Sequence, residues 1–337
     1  MSELTSRERV IRTLKHQSVD RAPRELWSLP GIGLDKSDEL KEMLTRFPND
    51  FTGPFASYGQ SLRAKGTAGV VGSYTDAWGC VWHVAERGVA GEVKEPPLAD
   101  WSALASYELP WELLKGADFS KVSEWYAKSH EFVKAGTETR MFERLQFLRG
   151  SEALFADLAY GSKELFKLID MLHDFFCKEM ELWAACEVDG VTFMDDWGAQ
   201  RSLLISPTMW RKIFKPLYRE YCDILHKGGK FVFFHSDGFI EAIIPDLIEI
   251  GVDALNSQLF CMDIEEIGCR YNGEITFWGE IDRQHILPRG SEDDVREAVR
   301  RVRRAMDEGK GGVIAECEWG MDTPTANVAA VYDEWTK

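Results

Sequence analysis

Phe231-Val-Phe-Phe-His-Ser-Asp-Gly238 is the stretch that indicates the fold most directly. Its four apolar residues are β-branched or aromatic, which predicts a buried strand. The run ends abruptly in an imidazole, a hydroxyl, a carboxylate and a glycine. Because buried strands of parallel sheets deliver their last residues to active sites, this ending predicts a functional site.

A second apolar run, Gly312-Val-Ile-Ala-Glu-Cys-Glu318, ends in a thiol between two carboxylates. The ends of these two core strands predict a zinc site with three ligands and one open position. The predicted ligands are His235, Asp237 and Cys317. That arrangement is typical of catalytic zinc, since structural zinc sites fill all four positions. The alternatives are a hydrogen-bonded structural histidine, a carboxylate that caps the next helix, and an inert core thiol.

From about residue 120 onward, short apolar runs alternate with longer helical patterns, the first of them a helix predicted at about 120–135, which predicts parallel βαβ units. The predicted strands lie at about residues 24–27, 141–144, 190–194, 231–235, 252–256, 275–279 and 312–317, with an eighth candidate in 68–83. Seven or eight such units favour a (β/α)8 TIM barrel, with a doubly wound open sheet as the alternative. We predict one barrel domain over residues 1–337, with an irregular insertion at about 30–115 that is rich in Gly, Pro, Trp and Tyr.

In such a barrel the carboxyl ends of all strands face one mouth, so polar residues distant in sequence meet there. We predict catalytic roles for Asp195 and Asp196, which could instead cap the turn that follows them. Glu143 and Glu280 are reserve metal ligands. The predicted substrate contacts are Trp27, Trp197, Gln200, Asn256, Gln258 and Glu280.

Composition narrows the class of protein. A net charge of −16 argues against nucleic acid and anionic membranes as partners, because both select basic surfaces. The seven cysteines are scattered through the chain, which is typical of a reducing compartment and predicts a cytoplasmic protein.

Several motifs together resemble the uroporphyrinogen decarboxylase superfamily, and within it the zinc- and corrinoid-dependent methyltransferase branch. They lie at Val19–Pro23, Asp195–Pro207, His235–Gly238, Ile250–Asn256, Trp278–Asp282 and Asp322–Pro324. Members of that branch bind zinc through a His-x-Cys pair and a further Cys shortly before a Thr-Pro pair. His235 and Cys317 match the first and last of these ligands, whereas Asp237 stands where a Cys is usual.

The resemblance implies an enzyme that moves a methyl group between a small methylated substrate, such as an aromatic methyl ether, and a corrinoid carried by a separate protein. Zinc would serve as the Lewis acid. The alternative is a metal-free uroporphyrinogen decarboxylase of porphyrin biosynthesis, whose members carry an arginine-rich loop after the first strand. Residues 28–35 contain no arginine, which disfavours a substrate with eight carboxylates. A catalytically silent barrel that acts as a binding partner is a third possibility.

Overall fold

A computed structural model describes residues 4–89, 91–307 and 309–337. The strands are β1 (Arg24–Ser28), β2 (Phe51–Thr52), β3 (Gly72–Thr75), β4 (Val81–Val84), β5 (Glu92–Glu95), β6 (Phe132–Gly136), β7 (Gly190–Met194), β8 (Phe231–Ser236), β9 (Ala254–Ser257), β10 (Thr276–Gly279) and β11 (Val313–Trp319).

Eight of these strands form one parallel sheet in the order β1-β11-β10-β9-β8-β7-β6-β2. The two ends of the sheet also meet, because the Asp50 backbone N–H donates to the Arg24 carbonyl at 2.8 Å. Helices separate most consecutive strands. The predicted (β/α)8 barrel is therefore confirmed.

Helices surround the sheet, and several of them begin at a residue whose side chain caps the first turn. They are α1 (Ser6–Leu14), α2 (Pro30–Asp35), α3 (Ser37–Arg46), α4 (Glu112–Lys115), α5 (Val122–Lys128), α6 (Met141–Arg149), α7 (Ser151–Tyr160), α8 (Lys163–Ala184), α9 (Pro207–Ile213), α10 (Lys215–Lys227), α11 (Ile244–Ile250), α12 (Ile264–Tyr271), α13 (Ile286–Arg289), α14 (Glu292–Met306) and α15 (Thr325–Trp335). Capping boxes start α1 and α14, where Thr5 pairs with Glu8 and Ser291 with Asp294. Among the described residues, no helix combines the length and apolar character needed to cross a bilayer.

Side chains alternate between the barrel interior and the outer helices, as the two-residue period of a strand requires. Phe233 and Ile314 belong to the interior cluster, together with Phe132 and Trp278. The neighbouring Phe234 belongs instead to the larger cluster between sheet and helices. This alternation decides which polar residues reach the mouth.

Three predicted elements differ from the structure. Residues 141–144 were expected in a strand but begin α6, because the Asp195 carboxylate accepts the backbone N–H groups of Phe142 and Glu143 and so caps that helix. The barrel strand is instead β6, in a stretch expected to be helical, where Lys134 points inward to Glu25. Residues 68–83 supply β3 and β4 of a small antiparallel sheet with β5, and β2 is the barrel strand.

Candidate active site

β8 brings His235 and Asp237 to the same side of the sheet, at the mouth. His235 follows Phe233 at a spacing of two, whereas Ser236 faces outward and accepts the Trp197 backbone N–H at 3.1 Å. The His235 Nε2 atom lies 3.6 Å from Asp237 Oδ1 and 3.6 Å from Asp196 Oδ1. One nitrogen and two carboxylate oxygens thus converge within 4.8 Å of one another.

Two glycines allow the loops after β7 and β8 to touch. A Cβ on Gly198 would lie 2.4 Å from the Phe239 nitrogen, and one on Gly238 would lie 2.3 Å from the Gly198 oxygen. Gly238 also has a φ of +78°, which favours glycine. A hydrogen bond stabilises this contact, because the Gly198 N–H donates to the Asp237 carbonyl at 3.0 Å. These glycines therefore position Asp196 beside Asp237.

Asn256, on β9, orients the imidazole of His235. Its side-chain Nδ2 donates to the Trp278 carbonyl at 2.9 Å, so its Oδ1 faces His235 Nδ1 at 2.6 Å. An amide oxygen in that position requires a proton on Nδ1, so Nε2 is the ring nitrogen that faces the two carboxylates. Metal-binding histidines are typically oriented in this way.

Arg283 holds Asp237 from the side away from His235. It pairs with Asp237 Oδ2, with Glu280 at 3.0 Å and with both oxygens of Glu318 at 2.9 Å. Burial raises the pKa of Glu280 to about 8, although Arg283 opposes that shift. Asp237 Oδ1 is buried and accepts no hydrogen bond from any residue that the structure describes. A buried carboxylate oxygen that lacks a donor and faces an imidazole lone pair suits a bound cation.

The floor of the mouth combines aromatic rings with a buried ion pair. The Trp27 ring lies 5.6 Å from the His235 ring and 4.9 Å from the Trp278 ring. The Lys134 ammonium sits 3.6 Å above the Trp278 ring and 2.8 Å from each Glu25 oxygen. Burial lowers the pKa of Lys134, while Glu25 opposes the shift. Below the three candidate ligands, the floor is therefore a layer of aromatic rings with one buried ion pair.

Asp195 and Trp197 lie behind the mouth, so the structure does not place them against a substrate. Asp195 is fully buried and accepts hydrogen bonds from Phe142 N at 2.5 Å, Glu143 N at 2.7 Å and the Tyr218 hydroxyl at 2.5 Å. Burial raises its pKa to about 8. Trp197 is also fully buried and stacks on Phe142 at 4.2 Å. Both residues form the wall that supports Asp196.

The structure does not bring Cys317 to His235. On β11 the side chains of Ile314, Glu316 and Glu318 point into the barrel. Cys317 lies between the last two, so its side chain points to the outer face of the sheet. The Cys317 thiol is fully buried in the outer cluster that includes Tyr332 of α15. Burial raises the pKa of this thiol well above its usual value. The predicted set of ligands therefore changes to His235, Asp237 and Asp196.

The remaining predicted residues border the mouth. Gln258 accepts the Gly238 N–H at 3.1 Å and so supports the glycine contact. Gln200 lies 3.6 Å from the Cys261 sulfur, and both line a pocket with Glu280 and Arg283. Glu143 lies next to Asp196, and burial followed by the Asp196 charge raises its pKa.

Sequence reasoning missed Arg283, Lys134 and Glu316. Glu316 is fully buried below Asn256, 3.4 Å from its Nδ2, and burial raises its pKa well above the usual value. A usable signal existed for Lys134, because a lone cation inside the apolar run Phe132-Val-Lys-Ala135 needs a buried partner.

Comparison with known proteins shows the family to which this barrel belongs. The model of the uroporphyrinogen decarboxylase (URO-D) family matches residues 146–337, which is more than half of the chain and includes β7 to β11. The chain belongs to the uroporphyrinogen decarboxylase family. The predicted family is thus confirmed. No individually curated protein matched the sequence.

Solved structures share the fold of this uroporphyrinogen decarboxylase family member. A methyltransferase from Methanosarcina mazei has a TM-score of 0.72 at 14% identity, covering 99% of this chain and 98% of that chain. A glycosylated endo-beta-1,4-xylanase from Gloeophyllum trabeum has a TM-score of 0.47 at 8% identity, covering 96% of this chain and 99% of that chain. At 14% identity the first likeness establishes the barrel fold, and the second is too weak to add to it.

Proposed function

We propose that this protein is a cytoplasmic methyltransferase that moves a methyl group between a small methylated substrate and a corrinoid carried by a partner protein, with zinc at the barrel mouth. An aromatic methyl ether is the substrate class that we favour. The methanogen methyltransferase with the same fold supports the general reaction class.

The observation that carries the proposal is the cluster of His235, Asp237 and Asp196. Its imidazole presents an oriented lone pair, and its buried Asp237 oxygen lacks a donor within the described residues. Imidazole and carboxylate are common zinc ligands, and three of them leave one position for substrate. The chemistry of these donors therefore fits zinc.

The residues of the chain have distinct tasks in such a transfer. Asn256 accepts the proton on His235 Nδ1, so that Nε2 is the nitrogen directed at the ion. Arg283 fixes Asp237 and balances the carboxylates beside it. Trp27 supplies an apolar wall next to His235, against which an aromatic ring could pack.

In the transfer itself, the bond between the substrate oxygen and its methyl carbon breaks. The corrinoid on the partner protein would supply a reduced cobalt(I), whose electron pair would form the new bond to the methyl carbon, and the electron pair of the broken bond would stay on the oxygen. A zinc ion bound at the mouth would stabilise that negative charge as a Lewis acid. The mouth faces solvent at the carboxyl ends of the strands, which gives a partner protein access.

Charge at the mouth disfavours the alternative, decarboxylation of uroporphyrinogen. Arg283 is already engaged by three carboxylates, and Arg140 lies 3.8 Å from Glu143. The acidic groups described around the mouth are Glu143, Asp196, Asp237, Glu280, Asp282 and Glu318. A polycarboxylate would be repelled there, since it needs cationic partners.

The test combines metal analysis with an activity assay. We expect His235→Ala to lose one equivalent of bound zinc relative to the wild type. We also expect the wild type, but not this variant, to methylate free cob(I)alamin with ortho-methoxyphenol as donor. Equal zinc in both proteins, or formation of coproporphyrinogen from uroporphyrinogen, would refute the proposal.

A further inference from the structure

A second group of metal-binding side chains lies outside the barrel, between α8 and α10. His173 and Cys177 are four residues apart on α8 and therefore face the same side of that helix. Glu220 reaches them from α10. One ligand atom from each of the three lies within 4.8 Å of the others.

The distances suit a tetrahedral ion. His173 Nε2 lies 3.6 Å from the Cys177 sulfur and 2.9 Å from Glu220 Oε2. Zinc bond lengths place such ligand atoms about 3.3–3.6 Å apart. The sulfur is at that separation from Nε2, but it also lies 3.8 Å from Nδ1, so the Cys177 side chain must turn toward the Nε2 side of the ring to share an ion. The Glu220 carboxylate needs to move by only a few tenths of an ångström, and its side chain is 59% exposed and free to do so.

The imidazole of His173 is oriented from behind. The Tyr221 hydroxyl lies 3.0 Å from His173 Nδ1 and is fully buried, so it can accept the Nδ1 proton and leave Nε2 for a ligand. This is the same type of support that Asn256 gives to His235 at the mouth.

The local field attracts cations. Besides Glu220, the carboxylates of Asp174 and Glu181 act on the Cys177 thiol. A site surrounded by carboxylates in this way favours the binding of a cation.

We propose that His173, Cys177 and Glu220 bind a divalent ion of the zinc class, with water in the fourth position, at a site separate from the barrel mouth. The mixture of thiolate, imidazole and carboxylate selects zinc or cobalt over magnesium and calcium. The ion would link α8 to α10 across the outer surface of the barrel.

Titration with cobalt(II) tests this site, because thiolate ligands give a charge-transfer absorption that imidazole and carboxylate do not. We expect the band in the wild type and also in His235→Ala, which removes the mouth ligand. Cys177→Ser should abolish it. Cys269→Ser, which changes an exposed thiol on α12, is the matched control and should retain it.

Two further variants separate binding from folding. Glu220→Gln changes an exposed side chain, so the fold should survive while cobalt affinity falls at least tenfold. Tyr221→Phe keeps the ring and should weaken affinity about 10–100-fold, as loss of an outer hydrogen bond does elsewhere. A wild type without the band, or a band that persists in folded Cys177→Ser, would overturn the proposal and leave only an ion pair between His173 and Glu220. These outcomes do not depend on whether the mouth binds zinc.

Discussion

Replacing Asn256 with alanine removes the group that orients His235. The wild-type side chain accepts from His235 Nδ1 at 2.6 Å and donates to the Trp278 carbonyl at 2.9 Å. Asn256 is 2% exposed, so water cannot readily replace it. With alanine, no hydrogen bond fixes the orientation of the imidazole ring. Nothing then determines whether Nδ1 or Nε2 carries the proton.

Two effects of this change can be sized from the structure. Loss of an outer hydrogen bond to a metal-binding histidine weakens metal affinity about 10–100-fold, or about 1.4–2.8 kcal/mol. Loss of two buried side-chain hydrogen bonds costs about 1–3 kcal/mol of unfolding free energy. We therefore expect Asn256→Ala to fold with a lower melting temperature and to hold zinc poorly.

The assay measures zinc affinity by competition with a chromophoric chelator, alongside chemical denaturation of the same protein. Cys177→Ser serves as the background, so that only the mouth contributes. Ser257→Ala is the matched control, since Ser257 follows Asn256 on β9, is 1% exposed, and has an Oγ without a hydrogen-bond partner in the described part of the chain. We expect its zinc affinity to equal that of the background.

One result would refute the reasoning. An Asn256→Ala protein that is destabilised as expected, yet binds zinc as tightly as the control, would show that His235 needs no orientation by Asn256. The hydrogen bond from His235 Nδ1 to Asn256 would then have no part in metal binding, and the argument that Asn256 prepares His235 as a ligand would fail.

Three other changes test separate parts of the structure. Cys317→Ala should leave zinc content unchanged and cost roughly 1–2 kcal/mol of stability, because it empties a small volume beside α15, and elemental analysis with melting separates the two effects. Asp237→Ala should reduce zinc affinity in the same chelator assay with little change in melting temperature, since Arg283 keeps Glu280 and Glu318 as partners. Burial raises the pKa of Glu179 in the folded state from 4.5 to about 7. Between about pH 4.5 and pH 7 the folded state therefore binds a proton that the unfolded state has lost. The free energy of unfolding should fall by about 3 kcal/mol as the pH rises through this range. Denaturation of Glu179→Gln at about pH 5 and pH 8 should show that the fall is absent.

The order of strands and helices after residue 185 was predictable from sequence, because each strand is a short apolar run between longer helical patterns. The pairing of His235 with Asp237 was predictable too, since a spacing of two puts both on one face. Asp196 was predicted at the mouth as a catalytic residue, and the structure places it beside these two.

The position of Cys317 was not predictable in the same way. Both faces of β11 are buried, so its sequence shows no alternation that tells the inner face from the outer. A shift of one residue exchanges the two faces completely. The prediction for β6 was wrong for a related reason. In the sequence, Lys134 resembles an exposed residue of a helix, and its buried partner Glu25 lies 109 positions away.

The exchange of thiolates for carboxylates at the mouth bears on the substrate class. Thiolates donate more charge to zinc than imidazole or carboxylate, so an ion bound by His235, Asp237 and Asp196 would be a stronger Lewis acid than one bound by cysteines. A stronger Lewis acid gives its largest advantage where negative charge develops on a hard atom, such as the oxygen of an ether that loses its methyl group. Activation of a thiol would benefit less, because a soft sulfur is better matched by a thiolate-bound ion. Under the function that we propose, the donors at this mouth would therefore favour an oxygen-bound methyl group over a thiol as the substrate.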